Sequence, residues 1–183
     1  MPLSSAGANG LGPVAPPLRR CRPCGDNGAR FDPEPRLNPV PSATLPTAAA
    51  LRLGHAGLLP FVLGAALVWL VRPDAHPYVT AALSAYAAVI VSFLGGIHWG
   101  FAMRQADAPG SLAGWGVVPS LVAWVAVVMP PYAGLIVLGA MLVACYLVDR
   151  RVYPAQGAAA WLTLRFRLTA VASLSCFIGA AGS

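Results

Sequence analysis

The sequence predicts an all-α integral membrane protein, a bundle of five transmembrane helices, on three observations. Of 183 residues, 57% are hydrophobic and 10% charged, where a soluble domain carries about a quarter charged residues. Mean hydropathy is +0.68, and apolar runs recur at roughly 20 residues, the length a helix needs to cross a bilayer. The arginines cluster on one side of the loops that those runs define, as membrane topology requires.

Residues 1–50 form one compositional unit, rich in Pro, Gly and Ala, with scattered arginines and no apolar period. Such a segment buries too little surface to offset its ordering entropy, so it is read as a disordered tail preceding a membrane domain at 51–183. It has no apolar stretch of the secretory-signal type. Cys21 and Cys24 form a single CxxC, "CRPC", without the second pair that a four-ligand zinc site needs, and no metal is expected. Cys145 and Cys176 lie in apolar runs and are read as small core residues.

The first span is expected at 54–71, closed by Arg72, Pro73 and Asp74. The second, 78–103, ends at Arg104, and the third, 111–129, ends at the Pro130-Pro131 turn. The fourth, 132–148, stops at "DRR", which opens an inner loop from Asp149. The fifth, 161–181, is purely apolar only from Leu168, so Arg165 and Arg167 are expected to snorkel back to the interface. Pro60 and Pro119 are expected to bend spans one and three.

Arginine placement tests the count. One side receives Arg36, Arg52, Arg104, Arg150, Arg151, Arg165 and Arg167; the other receives Arg72. This bias puts the N-terminus in the cytoplasm and Ser183 outside. Aromatic residues agree, with Trp99, Trp115, Tyr146 and Trp161 near the inner interface and Trp69, Tyr78 and Tyr132 near the outer one.

Several function classes lose support. All twelve basic residues are arginine, which excludes a Walker-type phosphate loop and a lysine Schiff base. The net charge of +6 follows from topology, so nucleic acid is not an expected partner. HExxH, GxSxG and GxGxxG are absent, and spans one to four as drawn hold no Asp, Glu, Asn, Gln or Arg. Ion-coupled transport normally needs such groups.

Three constellations remain. Ser84, Ala88, Ser92, Gly96 and Gly100 recur every fourth residue on span two, a ridge of small residues suited to close helix packing. The partner is another span or a second protomer. His55 and His98 enter from the same side on adjacent spans and are candidates for a shared ligand or cofactor, against the simpler reading of two interfacial histidines. Arg150, Arg151, Arg165 and Arg167 in the inner loop are candidates for an anionic lipid headgroup, with Asp149 placed to pair with Arg165 or Arg167.

"AGLLPFVLGA" (56–65), "YAAVIVSFLGGIHWGFAM" (86–103) and "LRFRLT" (164–169) together resemble the transmembrane protein 69 family of bacterial and mitochondrial membrane proteins. The resemblance covers about residues 51–180 and is most specific in "FLGGIHWG". It implies a five-span bundle in a bacterial cytoplasmic (inner) membrane or the mitochondrial inner membrane, and it supplies no catalytic residue or substrate. The expected function is therefore non-enzymatic, through helix contacts as an assembly factor, subunit or scaffold, with no cofactor. The alternative is a small protein that binds a cofactor or an anionic lipid; a transporter is least favoured.

Overall fold

The computed structural model describes residues 45–183, which are helical apart from short connections. The tail and its "CRPC" lie outside the described residues, apart from the last residues of 1–50. There the chain is already helical, because Thr47 caps α1 (Ala48–Ala56) by accepting the Ala50 amide on Oγ1 at 3.2 Å. Helical structure thus begins at Ala48, ahead of residue 51.

Among the described residues, five helices are long and apolar enough to cross a membrane, and the protein is a multi-pass membrane protein. The first span, Ala48–Leu70, is in two pieces, α1 and α2 (Leu59–Leu70). Pro60, expected to bend this span, sits in the first turn of α2 and follows the break at Gly57 and Leu58. Its missing N–H cannot bond the Ala56 carbonyl, and its ring disfavours a continuous helix there. The Tyr86 hydroxyl donates to the Gly57 carbonyl at 2.8 Å and satisfies one acceptor exposed by the break.

The second and third spans are α3 (His76–Met103) and α4 (Gly110–Val128). Pro119 does not interrupt α4, which continues through it with the proline buried. The fourth, α5 (Pro131–Ala155), runs well past its expected end at Val148. "DRR" therefore lies on a helix and not in a loop, and the chain turns only at Gly157, where φ is +71°. A short 3-10 turn, Ala159–Trp161, leads into α6 (Leu162–Ala181).

Helix α3 is central: it packs on α2, α4, α5 and α6. Helices α2 and α6, α4 and α5, and α5 and α6 close the bundle, while α1 touches α6. Backbones come closest where glycine permits it. A Cβ on Gly95 of α3 would fall 2.3 Å from the Gly116 carbonyl oxygen of α4, and one on Gly134 of α5 would fall 2.3 Å from that of Ala126. The core between these contacts is apolar, built on Phe61, Leu83, Val91, Leu135, Leu138 and Leu142.

The ridge on α3 does not face a single neighbour. Ser84 and Ala88 are buried, Ser92 is half-buried, and Gly96 and Gly100 are exposed with nothing within 4 Å of an added Cβ. A four-residue step turns 400°, so the row winds off the core-facing side over the length of α3. The glycine used inside the bundle is Gly95.

Candidate functional site

Each of three core stripes reaches an ionisable residue at the same end of the bundle. On α3 the buried positions Ala87, Val91 and Leu94 lead to His98. On α5, Leu138, Leu142 and Cys145 lead to Asp149, and Tyr153 follows. On α6, Cys176, Ala172 and Thr169 lead back to Arg165. Steps of three and four keep each set on one helical face, so all three side chains turn inward.

The three meet. Asp149 and His98 are each 1% exposed and Arg165 is 8% exposed. Arg165 donates from Nε to Asp149 Oδ2 at 2.9 Å, and its Nη2 reaches the same oxygen. Because both contacts fall on Oδ2, Oδ1 is left to His98, whose Nε2 lies 3.4 Å away. That approach lacks hydrogen-bond geometry, so Nε2 has no hydrogen-bond partner among the described residues. The other ring nitrogen, Nδ1, faces the Leu94 carbonyl at 3.3 Å. Tyr153 is buried beside Arg165, and the Phe101 ring stands edge-on to both Tyr153 and His98.

Buried charge is costly where no water can reach it, and pairing offsets the cost. Asp149 neutralises Arg165 here, in a place where the sequence suggested no acidic residue inside spans one to four. The expected snorkelling of Arg165 is also corrected: its guanidinium turns inward to the carboxylate, while Arg167 is exposed. The reason is the longer α5, which carries Asp149 one turn beyond Cys145 on the core face.

The cluster separates two cavities. The larger, about 620 Å³, lies between α1, α2, α3 and α6. Its wall is apolar, with Leu53, Phe61, Ile90, Leu94 and Leu168, and turns polar where Arg104, Tyr153, Gln156 and Arg165 line it. The smaller, about 390 Å³, lies between α3, α4 and α5 and is lined by His98, Ser111, Trp115, Arg151 and Gln156 among others. Gln156 borders both, and its Oε1 accepts from Gln105 Nε2 at 2.7 Å.

The other sequence candidates fall as follows. His55 is exposed, its Nδ1 2.7 Å from the Leu51 carbonyl of its own helix, and lines neither cavity. It does not share a site with His98. Of the four arginines, Arg165 is in the cluster, Arg151 borders the smaller cavity, and Arg150 and Arg167 are exposed. The pairing of Asp149 with Arg165 was expected from the sequence, but its burial and the place of His98 beside it were not. The signal was present, because the α5 core spacing runs through Asp149 without a break.

No solved structure matches this chain. Transmembrane protein 69 of Xenopus tropicalis is 45% identical over 82 residues, covering 42% of this chain and 31% of the relative. The chain therefore spans less than a third of that relative's length in the match. The family described as "Protein of unknown function (DUF3429)" matches residues 46–181, nearly all of the membrane domain. The chain belongs to this family.

Proposed function

We propose that the protein is a non-enzymatic binding protein for an amphipathic, lipid-like molecule held in the larger cavity. The observation that carries the reading is the cavity itself: about 620 Å³, apolar in depth, with Arg104, Arg165, Tyr153 and Gln156 at one end. That volume is within the roughly 300–1,000 Å³ of small-molecule sites, and an apolar wall with a few polar groups is their usual composition. An apolar tail would lie against Phe61, Ile90 and Leu94, and an acidic or polar head would meet the arginines. The break between α1 and α2 supports the reading, since both pieces border the cavity and α1 is only lightly attached to the bundle. A binding role fits better than catalysis because the buried carboxylate is occupied by Arg165 and His98. The arginine bias supports a cytoplasmic-membrane setting with the cavity's polar end on the cytoplasmic side.

Purification from native membranes, followed by mass spectrometry of extracted lipids, tests this. A retained amphipathic lipid is expected in the parent protein and its loss in Ile90→Trp, which fills the cavity from a half-buried position. Equal lipid content in the two would count against the site, and no retained lipid in either would remove it.

A second reading is favoured by one observation. Gly96 and Gly100 present a flat, exposed face with nothing within 4 Å of an added Cβ. A helix of another protomer or subunit fits such a face closely, as an assembly factor or scaffold would require.

A further inference from the structure

The larger cavity carries a polar group that nothing in the bundle uses. The hydroxyl of Thr169 makes no hydrogen bond among the described residues, whereas that of Thr80 donates to the His76 carbonyl of its own helix at 2.9 Å. Thr169 is 6% exposed and lines the cavity. Its oxygen is not one of the unpaired polar atoms closed to solvent, so it opens into that space. Buried side-chain oxygens are paired in the large majority of cases, and this one calls for a polar atom of a guest.

Charge narrows the head of that guest. Of the described residues on the wall, Arg104 and Arg165 are charged and none is acidic. Arg165 lies one helical turn from Thr169 on α6 and is neutralised by Asp149 through Nε and Nη2. Arg104 has no ion pair among the described residues. Gln156 has its oxygen engaged by Gln105, which leaves its amide N–H groups to donate. The cavity thus holds one uncompensated positive charge with neutral donors beside it. A group with one negative charge and acceptor oxygens matches it, as a carboxylate does. A phosphate monoester would bring an excess of charge.

Volume narrows the tail. At the roughly 30 Å³ that a water-sized group occupies in a liquid, about 620 Å³ holds on the order of 20 non-hydrogen atoms. One chain of about 16–18 carbons with its carboxyl group has that size, and a two-chain phospholipid is more than twice as large.

On the reading that this cavity holds an amphipathic molecule, we infer that its guest is a long-chain fatty acid. Arg104 and the Thr169 hydroxyl bind the carboxylate, and the single chain lies against Leu94, Ile90 and Phe61.

A palmitate analogue with a diazirine at the end of its chain is the probe. Protein in phosphatidylcholine nanodiscs is photolabelled, and peptide mapping locates the adduct. Labelling of cavity-lining residues on α2 or α3 is expected, with displacement by unlabelled palmitate. Hexadecanol, hexadecyltrimethylammonium and dipalmitoyl phosphatidic acid should each displace the probe about tenfold less well. Arg104→Gln is expected to weaken displacement by palmitate about tenfold, the loss of one hydrogen bond to a charged group. Thr169→Val, which keeps the side-chain shape, should weaken it several-fold. Arg150→Gln, at an exposed arginine that lines neither cavity, controls for surface charge and should change nothing. Equal displacement by the alcohol, the cation or the two-chain lipid would overturn the assignment. So would an undiminished response in Arg104→Gln or Thr169→Val, equal weakening in Arg150→Gln, or no labelling of the cavity. Lipid retention and its loss in Ile90→Trp are scored separately. A lipid retained without palmitate labelling removes the fatty acid and leaves the cavity reading standing; neither lipid nor label removes both.

Discussion

Asp149 takes both Nε and Nη2 of Arg165 on one carboxylate oxygen, joining α5 to α6 inside the membrane domain. Removing either partner leaves the other charge buried without compensation, which costs about 3–5 kcal/mol. Asp149→Ala and Arg165→Ala are each expected to lower stability by that order. The double replacement Asp149→Leu with Arg165→Met removes both charges and is expected to recover most of the loss, since apolar substitutes of similar volume are often neutral. Denaturation of the purified protein in detergent micelles reads this out. Single variants as stable as the parent would show that the pair contributes no cohesion.

Adjacent glycines on α3 are expected to behave in opposite ways. Gly95→Ala places a methyl group 2.3 Å from the Gly116 carbonyl oxygen, so α3 and α4 must move apart. Overpacking of this kind costs about 1–3 kcal/mol. Gly96→Ala meets open space and is expected to stay within about 0.5 kcal/mol of the parent. The same denaturation assay separates the two, and equal effects would contradict the packing described.

That pair of residues also marks what was legible in the sequence. Span number, order and approximate ends follow from apolar run length, and the structure moves most ends by only a few residues. The small-residue ridge was visible as a spacing, but spacing cannot say which of two neighbouring glycines faces inward. That depends on where the helix is rotated, which is set by its partners. The histidine pair fails for a similar reason, since equal depth on adjacent spans does not fix azimuth. Asp149 was mistaken for a loop residue because "DRR" reads as a polar stop. In fact the core stripe of α5 continues through Asp149 to Tyr153, and a strict three-four count would have carried it inward.

The exposed face of α3 gives a prediction about association. If a second helix uses Gly96 and Gly100, replacing both with leucine is expected to reduce a crosslinked dimer or a co-purifying subunit several-fold. The bundle itself should keep its stability, because neither glycine contacts another element. Crosslinking in native membranes, with denaturation as the control for folding, decides it. Unchanged crosslinks in a stable variant would exclude this face as an interface.

Topology is tested independently of any ligand. From the arginine bias, Ser183 is expected outside and the connection at Gln105 inside. Alkaline phosphatase, which folds to its active form only outside the cytoplasm, is expected to be active when fused at Ser183 and inactive when inserted at Gln105. The reverse pattern would invert the bundle and place the buried cluster in the opposite leaflet.

The last prediction concerns the break in the first span. Tyr86 on α3 donates to the Gly57 carbonyl at 2.8 Å, and the Tyr86 ring stands 5.1 Å from Phe61, edge to face. Tyr86→Phe keeps the ring contact and deletes only the hydroxyl, so it isolates the hydrogen bond. Its loss costs about 0.5–1.5 kcal/mol if the carbonyl finds another partner, and more if it stays buried and unpaired. Because α1 otherwise packs mainly on α6, the effect is expected to concentrate there. Hydrogen exchange at residues 53–62 should rise several-fold in Tyr86→Phe while exchange in α4 stays unchanged. A uniform rise through all helices would mean that the bond supports the whole bundle, and no rise would mean that the break is held by its own chain. In the first case retained lipid should also fall, because α1 and α2 both border the larger cavity. The variant thus couples the broken span to cavity occupancy in one measurement.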